Sequence, residues 1–210
     1  MPKVNRNAQR SLFEIPAMES DPLPEAGSTS PSNGLCTLFL GLMPPLELAK
    51  DIFLRAAGWT QQQHLGGNLR PAHVLHISLC AIDSFVGSVP PESFQRAKAA
   101  AEAMTSPAFE LVFDRVMHFA GKSPPYVLRV GQGLEQVKAF QHELAMAVAN
   151  TGGPSKDGSF TPHMTLAYSE RSVPEQPITP IRWEVKDFVL IDSHHGETHY
   201  DILGRWPLLG

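Results

Sequence analysis

The sequence contains two stretches in which a strand-like run, a helical pattern and a histidine-bearing strand follow one another. In the first stretch the spacing from the strand residue Leu40 to His76 is 36 residues, and in the second the spacing from Val127 to His163 is also 36. Equal spacing of like elements indicates a degenerate internal repeat. The chain is therefore expected to fold as two similar halves.

Each stretch ends in the same short pattern: a histidine, an apolar residue, a small hydroxyl residue and leucine. The two motifs are His76-Ile77-Ser78-Leu79 and His163-Met164-Thr165-Leu166. Because strand residues alternate between faces, the histidine and the hydroxyl residue of each motif would share one face, and the apolar residues would enter a core. A His-x-Ser/Thr tripeptide alone is expected about once by chance in this chain. The interpretation of the two motifs as a functional pair therefore rests on their equivalent positions in the repeat.

The composition is that of a globular protein. Of its 210 residues 42% are hydrophobic, which is enough for a core. The net charge of -4 and the pI of about 6.1 argue against a broad electrostatic footprint for long nucleic acid. Any nucleic-acid substrate is expected to be short, or to be held by its end.

Residues 1–33 form a separate zone rich in proline and serine, which is typical of a disordered leader. Residues 34–210 are expected to form a single two-lobed domain. The apolar run from Leu12 to Ile15 is too short to span a bilayer, and no signal-peptide pattern follows the basic start. The sequence predicts a cytoplasmic protein without a membrane partner.

From residue 35 onward, strand-like runs alternate with three helices that are each apolar on one side. The helices are predicted at 44–57, 91–104 and 132–150, and further strands at 109–113, 183–191 and 199–206. Helices of this kind cover one face of a sheet. The predicted fold class is α+β with mixed or antiparallel sheets.

The two cysteines, Cys36 and Cys80, lie in apolar strand-like runs. Two buried thiols in a reducing cytosol are favoured over a disulfide, and no zinc framework follows from them. Strict strand alternation places Cys80 on the face of His76 and Ser78, where it would line a cleft. A small buried filler is the favoured interpretation.

The remaining histidines and arginines have less specific interpretations. His195 and His199 are four residues apart, but Gly196 between them breaks a helix, so a polar hairpin turn that includes His194 is favoured over a metal site. A surface or packing role is expected for four other histidines, namely His64, His73, His118 and His142. A solvated surface position is the default for Arg70, Arg129 and Arg182, although each would suit the lining of a nucleotide cleft.

The motifs and their flanks resemble the two-histidine (2H) phosphoesterase superfamily, and within it the bacterial 2'-5' RNA ligase / RNA 2',3'-cyclic phosphodiesterase family. The resemblance covers about residues 35–208, including the flanks Phe160-Thr161-Pro162 and the C-terminal segments 188–193 and 200–208. It implies a bilobal LigT-like fold. In that fold two pseudo-repeated lobes flank a V-shaped cleft, the helices lie outside, and one His-x-Thr/Ser strand of each lobe faces the other.

The resemblance also implies the chemistry. His76 would donate a proton to the leaving ribose oxygen and His163 would accept one from water, while Ser78 and Thr165 would bind the phosphate oxygens. The implied substrates are RNA ends or small nucleotides that carry a 2',3'-cyclic phosphate. No cofactor or metal is expected, the protein is expected to be a monomer, and 2'-5' ligation would be the reverse of a related transesterification.

One position departs from the family pattern. Many members carry an arginine three residues after the second hydroxyl residue, where this chain has Tyr168. A tyrosine hydroxyl lacks the permanently charged fork of a guanidinium, although it can contact a substrate. A module that binds nucleotides or RNA ends without turnover therefore stays open as an alternative.

Overall fold

The computed structural model describes residues 34–121, 124–154, 160–169 and 171–209. The predicted leader, residues 1–33, lies outside these ranges. The elements, in chain order, are β1 (Leu35–Leu42), α1 (Leu46–Gln62), β2 (Ile77–Val86), α2 (Pro91–Glu102), β3 (Phe109–His118), β4 (Pro125–Gln132), α3 (Leu134–Asn150), β5 (His163–Tyr168), β6 (Gln176–Val185), β7 (Asp187–His194) and β8 (His199–Pro207). No helix in the described ranges is both long and apolar enough to cross a membrane.

The strands form two antiparallel sheets of four, in the orders β2-β1-β7-β8 and β5-β4-β3-β6. The predicted α+β class with two lobes is confirmed. In each sheet the histidine motif lies at an edge, on β2 or β5, and pairs with the strand that opens the same repeat, β1 or β4. The equal spacing in the sequence thus corresponds to two equivalent positions in the fold.

Helix α1 is longer than its apolar pattern predicts. The pattern ends at residue 57, before Gly58, but the helix continues to Gln62. Gly58 faces open space, and the Thr60 hydroxyl donates a hydrogen bond to the Ala56 carbonyl at 2.9 Å. Trp59 packs against the core, so tertiary contacts carry the helix past a residue of low helix propensity.

The strand predicted at 183–191 is wrong as one element. It breaks at Lys186, so that β6 ends in the second sheet and β7 begins in the first. Val185 pairs with Phe109, whereas Asp187 pairs with Pro207. Because both pieces are extended and apolar, the pattern continues across a point where the chain changes sheet.

The two halves exchange contacts through their helices. Helix α3, from the second half, reaches the first sheet, where Phe140 packs edge-on against Phe188 and Gln141 donates a hydrogen bond to the Leu79 carbonyl at 3.4 Å. Gln63, just after α1, donates to the Tyr126 hydroxyl of the second sheet at 3.3 Å. The edges that carry the histidines are therefore held by contacts across both halves.

Candidate active site

A cleft of about 590 Å³ is lined by residues of both sheets. All five residues singled out in the sequence line it: His76, Ser78, His163, Thr165 and Tyr168. The first two belong to the edge of one sheet and the last three to β5 of the other. Two short motifs that are far apart in the chain thus share one surface.

His76 lies directly before β2 and after a short 3₁₀ turn, Ala72–Val74. Its Nδ1 donates a hydrogen bond to the Val74 carbonyl at 2.9 Å, and its Nε2 lies 2.9 Å from the Ser78 hydroxyl oxygen. A carbonyl can only accept, so Nδ1 carries the proton in the neutral ring. Nε2 is left as the atom that can take or give a proton.

His163 repeats this arrangement at the start of β5. Its Nδ1 donates to the Thr161 carbonyl at 2.8 Å, again two residues upstream. Each imidazole also packs against a phenylalanine, His163 against Phe119 with ring centroids 4.7 Å apart and His76 against Phe39 at 5.1 Å. Both rings are thereby fixed in tautomer and restrained in orientation.

Burial lowers the pKa of both histidines. The pKa of His76 is lowered to about 4, first by desolvation and then by the positive charges of Arg70 and His163, against the raising effect of the Val74 carbonyl. The pKa of His163 is lowered by desolvation and by Arg129, although its bond to the Thr161 carbonyl raises it. Both rings are neutral at pH 7 in the free protein.

Arg70, for which the sequence favours a solvated surface position, lines the cleft in the structure. Its Nη2 donates to the Tyr200 hydroxyl at 3.2 Å, and the same hydroxyl lies 3.4 Å from Nδ1 of His76. Tyr200, on β8, is a further cleft residue that the sequence did not indicate. In the sequence, strand alternation alone assigns Tyr200 to a face of β8. The structure shows its pairing with Ser193 of β7, which brings it to the cleft.

The segment before Arg70 lies along the edge of the second sheet. The Arg70 amide donates to the Leu166 carbonyl at 2.7 Å, and Leu69 bridges Ala167. Gly67 has φ +115°, and a Cβ at this position would lie 1.9 Å from the Tyr168 carbonyl oxygen. A loop of the first half is thus attached to the histidine strand of the second, and it carries a guanidinium into the cleft.

The other arginines and Tyr168 take different positions. Tyr168 lines the cleft and is 49% exposed. Arg129 pairs with His163 across β4 and β5 and lies over the Phe119 ring, 5.6 Å from its centroid. Arg182 is exposed and forms an ion pair with Glu110 at 2.8 Å, as a surface residue would.

The expectation that Cys80 would line the cleft with His76 and Ser78 is wrong. Opposite β1, Leu40 pairs with Cys80 but Gly41 pairs with Ser78, so Leu79 is an extra residue that reverses the alternation. Ala81 faces the cleft instead. Cys80 is 5% exposed and lies 3.9 Å from Nε2 of Gln141, so the favoured interpretation of a buried filler is confirmed.

The histidine-rich segment forms the predicted hairpin, with β7 ending at His194 and β8 beginning at His199. His195, in the turn, lies at the cleft, where its Nε2 is 2.8 Å from the Thr37 hydroxyl oxygen. His142 is exposed on α3. His118 is buried against Tyr126, with ring centroids 4.9 Å apart, in a packing role.

The family model of the 2'-5' RNA ligase superfamily matches residues 44–197, a span that contains both histidine motifs. The chain belongs to the 2'-5' RNA ligase superfamily. This assignment agrees with the resemblance drawn from the sequence.

The fold of this chain is similar to the folds of several solved structures. E. coli LigT without ligand has 22% sequence identity and a TM-score of 0.67, over 84% of this chain and 99% of that one. The protein TT0787 of Thermus thermophilus has 21% identity and a TM-score of 0.65, over 83% of this chain and 98% of its own. E. coli LigT complexed with ATP has 22% identity and a TM-score of 0.64, over 84% of this chain and 99% of that one. No curated protein matches the chain.

Proposed function

We propose that this superfamily member is a metal-independent phosphodiesterase that hydrolyses 2',3'-cyclic phosphates, on RNA ends or small nucleotides, to 2'-phosphates. The observation that carries the proposal is the pair of equivalent imidazoles in one cleft, each with Nδ1 bonded to a carbonyl and with a hydroxyl residue two positions on. Cleavage at phosphorus needs a proton removed from water and a proton given to the leaving oxygen. Two fixed Nε2 atoms meet that demand without a cofactor.

In the proposed reaction one Nε2 takes a proton from a water as its oxygen bonds to phosphorus. The bond from phosphorus to the ribose 3'-oxygen breaks, and the other Nε2, protonated beforehand, gives that oxygen its proton. By analogy with the family, His76 is the donor and His163 the acceptor. Ser78 and Thr165 donate hydrogen bonds to the non-bridging oxygens as negative charge develops on them.

The lowered pKa values set a condition on this reaction. Because both rings are neutral at pH 7 in the free protein, the donor must gain its proton at lower pH or when the anionic phosphate binds. A negative charge beside an imidazole raises its pKa. Substrate binding and protonation of the donor are therefore coupled.

Arg70 is proposed to supply the positive charge that arginine supplies elsewhere in the family and that Tyr168 does not. Its guanidinium lies in the cleft against Tyr200, which in turn approaches His76. The backbone bond from Arg70 to Leu166 fixes the base of this side chain next to the second motif. From this position it would bind a phosphate or a neighbouring ribose oxygen, and Tyr168 would contact the nucleoside.

Structures of E. coli LigT complexed with ATP and with 3'-AMP support nucleotides as the ligand class. With water replaced by a ribose hydroxyl, the same groups would run a reversible 2'-5' ligation. The buried thiols of Cys36 and Cys80 fit the reducing cytosol that the sequence predicts, and the proposed protein is a cytoplasmic monomer.

The alternative is a module on the same fold that binds nucleotide ends without turnover, and the exposed Tyr168 in place of arginine is what favours it. A panel of 2',3'-cyclic mononucleotides, RNA with a 2',3'-cyclic end and 2'-5'-linked dinucleotides separates the two. We expect 2'-phosphate products from the cyclic substrates, and no product from a His163→Ala variant. Saturable binding with no product in the wild-type protein would establish the binding module instead.

A further inference from the structure

The hairpin of β7 and β8 carries a second cluster of polar side chains, apart from the two catalytic candidates. Nε2 of His194 lies 2.9 Å from Oδ2 of Asp201, and Nε2 of His199 lies 3.1 Å from Oδ1 of the same carboxylate. Oδ2 of Asp192 lies 3.8 Å from Nε2 of His194. The imidazoles of His194 and His199 therefore meet at the Asp201 carboxylate, and the Asp192 carboxylate borders this cluster beside His194.

Strand register explains why they converge. Asp192 pairs with Asp201, and His194 pairs with His199, across the antiparallel ladder. Residues two apart share a face and paired residues are neighbours, so all four side chains project from one face of the hairpin. The residues between them, Ser193 and Tyr200, project from the other face, where Tyr200 packs against His76 with ring centroids 5.3 Å apart.

Asp192 is the member that hydrogen bonds inside the protein do not explain. It is 6% exposed, and no hydrogen bond reaches its buried Oδ1. The 3.8 Å gap from Oδ2 to His194 is too long for a hydrogen bond, and the thiol of Cys36 is only a weak donor to the carboxylate. A buried carboxylate oxygen without a hydrogen bond costs free energy, so the place of Asp192 beside the imidazole cluster points to a bound cation as the missing partner of this oxygen.

We propose that His194, His199 and Asp201 bind one divalent transition-metal ion, with Zn²⁺ as the representative ion, and that Asp192 approaches from beside His194 as the fourth ligand. Neutral imidazoles and carboxylates are ligands that zinc accepts, and the two carboxylates neutralise the charge of the dication. The ligand atoms of His194, His199 and Asp201 lie within 4.8 Å of one another. Tetrahedral ligands of zinc are roughly 3.4 Å apart, so small side-chain rotations close the site.

The ion would act on structure and not on phosphorus. Its ligands project from the face opposite Tyr200, so it would join the two strands at the end of the hairpin and hold the turn whose residues His195 and Thr198 line the cleft. The cysteine nearby is not a ligand in this assignment. Sγ of Cys36 lies 3.6 Å from Nδ1 of His194, the ring nitrogen that the proposed ion does not use.

To test this, the full chain is treated with EDTA and gel-filtered, and Zn²⁺ is then added. Calorimetry measures the binding, and thermal unfolding measures the stability. We expect one equivalent to bind and to raise the unfolding temperature, because a ligand that binds the folded state stabilises it. His199→Ala and Asp201→Asn should each lose the stoichiometric binding. His142→Ala, which removes an exposed histidine elsewhere, and the double variant His76→Ala/His163→Ala should keep it; loss of binding in the double variant would overturn the proposal.

Asp192→Asn separates a metal ligand from an ordinary structural residue. Without metal this variant should be at least as stable as the wild-type protein, because it replaces a buried carboxylate, whose Oδ1 has no hydrogen bond, by a neutral amide of the same shape. It should bind Zn²⁺ at least about tenfold more weakly. A metal-free variant less stable than the metal-free wild type, or an unchanged affinity, would contradict the assignment.

Co²⁺ reports on the donor atoms. We expect visible bands of a four-coordinate nitrogen and oxygen site, with no thiolate charge-transfer band. A thiolate band that Cys36→Ser removes would place the metal at Cys36, Asp192 and His194 instead, and absence of any stoichiometric binding would remove the site altogether.

Discussion

At the scale of single residues, the two carbonyl tethers decide how the histidines can act. Val74 and Thr161 each accept a hydrogen bond from Nδ1 of the histidine two residues downstream. Such a bond fixes the tautomer and directs Nε2 toward the cleft. It does not raise the pKa enough to offset burial, so both pKa values stay below the usual range.

The lowered pKa values predict an acidic optimum. Turnover needs one neutral and one protonated imidazole, and kcat/KM reports the pKa values of the free enzyme. Both lie below 6.5, so kcat/KM for a 2',3'-cyclic mononucleotide should follow a bell with its maximum below pH 6.5 and fall as the pH rises further. A maximum at neutral or alkaline pH would contradict this electrostatic account.

Stability must be followed in the same experiment. The unfolded chain, whose histidines have the ordinary pKa, binds more protons than the folded chain between about pH 6.5 and the lowered values. The free energy of unfolding therefore falls as the pH falls through this window, toward about 4 for His76. Circular dichroism across the profile distinguishes loss of activity by titration from loss by unfolding.

Arg70 gives a second prediction at this scale. Arg70→Ala should lower kcat/KM on the order of 10²-fold, because it removes a charged donor from the cleft. Arg70→Lys should recover part of the loss, since it restores the charge without the fork. Arg182→Ala, which removes an exposed arginine paired with Glu110, is the matched control. Equal activity of Arg70→Ala and this control would show that Arg70 does not act on substrate.

Residue positions were predictable where alternation is regular and not where it is interrupted. His76 and Ser78 share a face as the period of two requires, but the extra residue Leu79 reverses the pattern and turns Cys80 into the core. Nothing in the residue types marks a bulge at that point. The cleft position of Arg70 was not predictable for another reason: a loop brings it to the cleft, and loops have no periodic pattern.

At the scale of elements, the loop that carries Arg70 depends on one glycine. Gly67 has φ +115°, and a side chain there would meet the Tyr168 carbonyl. Gly67→Ala should therefore cost on the order of 1–3 kcal/mol of stability and shift the loop away from β5. Its kcat/KM should fall toward that of Arg70→Ala, as measured by steady-state kinetics below the unfolding range.

The adjacent Gly66 supplies the control for this prediction. Its Cβ position meets nothing within 4 Å. Gly66→Ala should keep wild-type kinetics and stability. If Gly67→Ala also keeps wild-type kinetics, the loop does not position Arg70 for the reaction.

The helices were predictable from their apolar spacing, because each covers a core on one side. The strands of the C-terminal half were less predictable from their apolar spacing. Both pieces of the predicted strand 183–191 are extended, and only their partners, Phe109 for Val185 and Pro207 for Asp187, show that they belong to different sheets. Periodicity reports which face is buried and carries no information about which sheet a strand joins.

At the scale of the whole molecule, the cleft exists because two equivalent sheet edges meet across contacts exchanged between the halves. Gln141 of α3 bonds to Leu79 within the first motif, and Arg70 of the first half bonds to Leu166 within the second. The equal spacing in the sequence indicated two halves. That their histidines share a cleft was implied by the family resemblance and not by the spacing.

If His76 and His163 form one acid/base pair at phosphorus, both are needed for turnover of a 2',3'-cyclic nucleotide, which matched histidine variants in excess EDTA test. Wild type and His142→Ala should hydrolyse it equally, and turnover should persist in EDTA. His76→Ala and His163→Ala should each lose turnover on the order of 10²–10⁴-fold while keeping the wild-type circular dichroism spectrum. Wild-type turnover in either folded variant would show that His76 and His163 do not act as an acid/base pair.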